Sequence, residues 1–113
     1  MRKQQIENAA YEVAVQVRAV EESIEAAIAE IAGLQAKMVH ARGVTGVGFV
    51  TSHTAFEQLA NATLGLVSAR GGIANCHTAL VETKAFVPGL RTVAFGDNEC
   101  PDPKGEATLR IVA

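Results

Sequence analysis

A chain of 113 residues forms one domain at most and buries only a modest core. Its net charge is −2 and no basic run is longer than Arg2-Lys3, so the electrostatic footprint of a protein that binds nucleic-acid polymers is missing. Apolar residues make up 49%, but Ala and Val dominate, with four Phe, one Tyr and no Trp. Such small side chains favour close helix contacts over a bulky globular core, and they make self-association an early expectation.

The first residues, "MRKQQIENAAYE", run straight into charge and do not read as a signal peptide. No apolar stretch approaches the roughly 18 residues of a membrane span. The cysteines, Cys76 and Cys100, form no CxxC pair and have no zinc-like spacing with His. These features predict a soluble, cytoplasmic protein with free thiols, no metal, no cofactor and no membrane partner.

From Ile6 through Ala10, Val13, Val17 and Val20 to Met38 and Ala41, apolar residues follow one another at alternating spacings of four and three. That is the seam of a coiled coil. It predicts a helix over about 3–42, about 60 Å long at 1.5 Å per residue. Gly43, Gly46 and Gly48 break the pattern where the chain must reverse, and Thr51 or Ser52 is placed to cap the next helix. A second seam runs from Ala55, Leu59, Ala62, Leu66 and Ala69 on to Val87, predicting a helix over about 52–87 that Pro88-Gly89 ends. Gly71-Gly72 falls inside this helix. Two interior glycines cost roughly 2 kcal/mol relative to alanines, which calls for a bend or for a partner that comes close to the backbone.

Residues 1–89 therefore read as a long antiparallel helical hairpin. Both helices carry more apolar surface than their single contact covers, since Tyr11, Val15, Ile28 and Val39 lie off the first seam. Another copy of the hairpin would cover it, giving a homo-oligomeric helical bundle. Residues 90–113 change period. "RTVAF" (91–95) and "ATLRIV" (107–112) read as strands joined by a turn, a small C-terminal β-hairpin. The fold class expected is mainly α with that β extension.

Named catalytic motifs are absent. "GVTGVGF" lacks the Lys-Ser/Thr of a P-loop and the strand of a dinucleotide fold, so it reads as an interhelical turn whose following helix start could at most hold an anion. His40 and His53 fall at the same end of a hairpin without a third ligand. Asp97, Glu99 and Asp102 do not fit a calcium loop. Cys76 falls on the seam as a packing thiol. A catalytic pair could draw only on His53 with Asp97 or Cys100, so no enzyme is expected.

One pattern rises above these. Phe56, Thr63, Arg70, His77 and Lys84 recur every seven residues along one edge of the second helix's apolar face, with Asn75 close by. Two readings compete. Arg70, His77 and Lys84 either converge on a small anionic ligand, with Phe56 or Tyr11 stacking on a base, or they pair with glutamates such as Glu21, Glu25 or Glu30 of the other helix.

The stretch "ARGGIANCHTALVETKAFVPGLRTVAFGD" resembles small open reading frames of phages and prophages. Among small phage proteins, oligomeric helical hairpins include anti-defence sponges that sequester cyclic-oligonucleotide or cyclic ADP-ribose immune signals. The resemblance implies a non-enzymatic viral protein, active in the host cytoplasm, with nucleotide-binding sites between subunits. The alternative is a phage structural or assembly component, or a helical protein-protein adaptor.

Overall fold

The computed structural model of the chain describes residues 2–90. They form two helices, α1 (Arg2–Thr45) and α2 (Phe49–Lys84). Neither contains a proline, and α1 is rich in Ala, Glu, Gln and Ile, so nothing breaks the hydrogen-bond ladder before the glycines at the turn.

Both helix ends at the turn have a local cause. Gly46 takes φ +74°, and its N–H donates to the Arg42 carbonyl at 3.0 Å, the left-handed cap that glycine adopts without Cβ strain. Arg42 Nη1 also donates to the Val47 carbonyl at 3.4 Å. The helix α1 thus runs three residues past its expected end at 42. The helix α2 begins three residues earlier than expected, at Phe49. Its first intrahelical carbonyl is Gly48, which accepts the Ser52 N–H at 3.1 Å. Ser52 is therefore not a cap: its hydroxyl donates back to the Gly48 and Phe49 carbonyls, both at 3.1 Å, from inside the helix.

Beyond α2, short-range bonds from Ala85, Phe86 and Val87 to the carbonyls three residues earlier tighten the last turn. Pro88 and Gly89, the latter at φ +86°, then form a turn closed by the Leu90 N–H on the Val87 carbonyl at 3.2 Å.

The chain divides into two compact units, each built from one part of α1 and one part of α2. Unit 1 is Met1–Glu21 with Gly71–Ala113, and unit 2 is Glu22–Arg70. Unit 2 is a helical hairpin around the Gly46–Gly48 turn. In unit 1 the start of α1 lies against the end of α2, and Leu90 folds back to become the only buried apolar residue described, 4% exposed.

The mixed architecture expected from the sequence is corrected here. Among the described residues there is helix and no strand, so no β-hairpin joins the two helices. The segments read as strands, 91–95 and 107–112, lie outside the described residues.

The seam is also displaced toward one flank, wholly on α2 and in part on α1. On α1 the half-buried positions include Ala10, Val17, Ile24, Ile31 and Met38 together with Ile6, Val20 and Ala27, as expected, but Ala14, Glu21, Ile28 and Arg42 join them while Val13, Leu34 and Ala41 are exposed. On α2, Leu59, Leu66 and Ile73 are joined by Phe56, Thr63, His77 and Lys84. In heptad letters the Ile24/Leu66 line is d and the Glu21/His77 line is a. The line the sequence pairs with d is the other flank, g, which holds Val13, Val20, Ala27, Leu34 and Ala41 on α1 and Ala55, Ala62, Ala69, Cys76 and Thr83 on α2. Every g residue of α2 is exposed. Hydropathy favours d with g, but on α2 the helices meet through d with a, where His77 meets Glu21.

Candidate functional site

Two side-chain pairs join the helices, one inside the seam and one at its exposed edge. In unit 1, His77 is buried, 7% exposed, and its Nδ1 lies 3.1 Å from Glu21 Oε2. An ionised carboxylate only accepts, so Nδ1 carries the hydrogen of this bond. Replacing an apolar layer by this pair costs desolvation of both groups, which the hydrogen bond offsets, and it allows only the register in which residues 21 and 77 meet. In unit 2, Arg70 Nε donates to Glu25 Oε1. Both side chains are more than half exposed, 62% and 58%. Such a pair contributes about 0–1 kcal/mol.

Of the ladder, Phe56, Thr63, His77 and Lys84 therefore form the second line of the helix-helix seam, while Arg70 stays exposed at its margin. Of the two sequence readings, pairing with glutamates describes Arg70 and His77, through two of the three residues named for it, Glu25 and Glu21. Thr63 turns its hydroxyl onto the Leu59 carbonyl at 3.2 Å, as helical threonines do when half-buried.

The six candidate ligand residues divide between the units. Arg70 and Phe56 belong to unit 2, and His77, Lys84, Asn75 and Tyr11 to unit 1. Asn75 is exposed and Tyr11 is 58% exposed, whereas Phe56 and Lys84 are half-buried. Phe56 lines a shallow cleft of unit 2 together with Met38, Ala41 and Arg42.

Unit 1 holds a cleft of about 170 Å³. Ala10 and Ala14 on α1 leave space opposite Leu80 and Val87, and Leu90 closes one end. His77 and Lys84 are the ionisable side chains in this otherwise mostly apolar lining. Sequence reasoning named both but not the cleft. Its signal was the pair of alanines one turn apart, combined with the Pro88-Gly89 turn that returns Leu90.

The remaining candidates stay apart. His40 and His53 are exposed, and among the described residues no group of three His, Cys, Asp or Glu could hold a metal ion. Cys76, expected on the packed seam, is an exposed free thiol because it lies on the g line. The acidic turn 97–102 and the nominal partners of His53, Asp97 and Cys100, lie outside the described residues. A methyl group at Gly71 or Gly72 would meet nothing within 4 Å, so neither glycine answers to a close neighbour among the described residues.

The described residues define a small, mostly helical protein, and among them no helix is long and apolar enough to cross a membrane. No family model matches the chain, and no curated protein or solved structure matches it.

Proposed function

We propose that this chain acts by assembly, as a non-enzymatic, homo-oligomeric helical protein serving as a structural component or adaptor. One observation carries the reading. Along two helices of 44 and 36 residues no apolar side chain is buried, and the single buried residue is His77. Tyr11, Val13 and Val15 in unit 1, and Leu34, Leu64 and Val67 in unit 2, are each about half exposed or more. Burial of an amphipathic face supplies most of a helix's stability in proteins, and an exposed apolar surface of this extent marks an interface. Light scattering on the purified chain tests the reading: a mass of two or more chains is expected, and a single-chain mass at every concentration defeats it.

A second reading rests on the unit 1 cleft. His77 and Lys84 in its apolar lining could hold a small anionic ligand at a subunit interface, such as the nucleotide immune signals that phage sponges sequester. The assembly reading is preferred because Glu21 already holds His77 Nδ1, which sets a carboxylate beside the cleft where a phosphate would need unopposed donors. Melting the protein with cyclic dinucleotides, cyclic trinucleotides and ADP-ribose isomers separates the two. A stabilised transition with one of them favours the ligand, and unchanged melting with all of them discards it.

A further inference from the structure

Unit 2 has one uncharged flank. On its g side lie Ala27, Leu34 and Ala41 of α1 and Ala55, Ala62 and Ala69 of α2, exposed apart from the half-buried Ala27. Beneath them the d-line residues Ile31, Met38, Leu59 and Leu66 are only half-buried, because the helix pair covers them from the a side alone. A helix in a complete bundle buries a stripe of three lines, d with both neighbours or nearly so. Among the described residues the third line has no partner. The opposite flank also exposes Val39 and Val67, but the Glu25–Arg70 pair and His53 interrupt it with polar groups.

The rim of the uncharged flank says what fits it. Glu30 and Lys37 lie seven residues apart on the next line of α1, on either side of Leu34. Both are exposed, and neither forms an ion pair within the described residues. We infer that the g flank of unit 2 docks on the same flank of a second copy, α1 antiparallel to α1 about a two-fold axis near Leu34, with Glu30 of each copy opposite Lys37 of the other.

This arrangement deepens the assembly reading and rests on it. A two-fold axis at Leu34 sets Leu34 against its own copy and Ala27 against Ala41. On α2 it sets Ala62 against its own copy and Ala55 against Ala69, so small residues let those helices approach closely. Glu30 and Lys37 then meet twice, once on each side of the axis. Laying α1 over α2 of the partner instead brings Glu30 and Lys37 over the rim of α2, where Thr51, Gln58 and Gly65 offer no charge. From Ala27 to Ala41 and from Ala55 to Ala69 the face measures about 21 Å by about 20 Å from helix rise and spacing. That is roughly 420 Å² per copy, about half the roughly 800 Å² per partner of a standard interface, so the paired charges at the rim rather than area select this face.

The test uses the full chain with Cys76→Ser and Cys100→Ser. Leu34→Cys is expected to form an intermolecular disulfide rapidly under mild oxidation, while Ala32→Cys, on the opposite flank, does not. Glu30→Lys places like charges together twice and is expected to raise the dimer dissociation constant about 10-fold. Adding Lys37→Glu to it restores self-complementarity and returns the constant to its starting value, and circular dichroism of the single variant shows that it keeps its helix content. A chain that is monomeric before any substitution overturns the assembly reading and this face with it. An oligomer that crosslinks through Ala32→Cys, or that ignores both charge changes, overturns this face and leaves the assembly reading standing.

Discussion

Replacing Gly71 and Gly72 by alanine probes why two glycines sit inside a long helix. Both lie within α2, neither has a positive φ, and a Cβ at either position meets nothing within 4 Å. Alanine therefore gains helix propensity at no steric cost. Each exchange is worth about 1 kcal/mol, partly by reducing the freedom of the unfolded chain, so the double variant gains about 2 kcal/mol. For a chain of this size that corresponds to a rise in melting temperature of roughly 6–12 °C. Far-ultraviolet circular dichroism during heating and during urea titration measures it, with an unchanged urea slope showing that the same surface is exposed on unfolding. A melting temperature that stays put or falls refutes the reasoning. It would mean that something beyond the described residues, such as a partner helix or a ligand, lies where the new methyl groups point.

The Glu21–His77 pair predicts strongly non-additive substitutions. His77→Leu alone strands a half-buried carboxylate and costs about 1–3 kcal/mol, whereas the double change Glu21→Leu with His77→Leu returns to the starting stability or above it, as a urea double-mutant cycle will show. Arg70→Ala changes stability by less than about 1 kcal/mol, since both partners are largely exposed, and high salt removes the difference. Gly46→Ala forces an L-residue to φ +74° at the turn and costs about 1–2 kcal/mol, read from the same titration.

Periodicity made the helices legible and gave the d line residue by residue, from Ala10 to Met38 and from Leu59 to Ile73, but beyond that Leu80 is exposed and α2 ends at Lys84, short of the expected 87. It misjudged which flank joins that line. Hydropathy scores Glu21 and His77 as surface residues one at a time, and only their pairing across the seam makes an inside position tolerable. The same limit moved Cys76 from the seam to the surface. At the turn the glycines marked the reversal, but the cap followed backbone geometry: Gly48 supplies the first carbonyl of α2, and Ser52 serves its own helix instead. Gly71-Gly72 was legible as helix interior because the heptad count runs through it. Of the candidate ligand residues, the ladder spacing located His77 and Lys84. It could not show the cleft beside them, which depends on Ala10, Ala14 and the return of Leu90.

Function by assembly requires that the half-covered helices seek a second copy. Sedimentation equilibrium over a wide dilution series, with helix content and melting temperature followed on the same samples, tests this most directly. The prediction is a mass of two or more chains that falls on dilution, together with a melting temperature that rises with concentration. A single-chain mass at every concentration, with full helix content and concentration-independent melting, would contradict it.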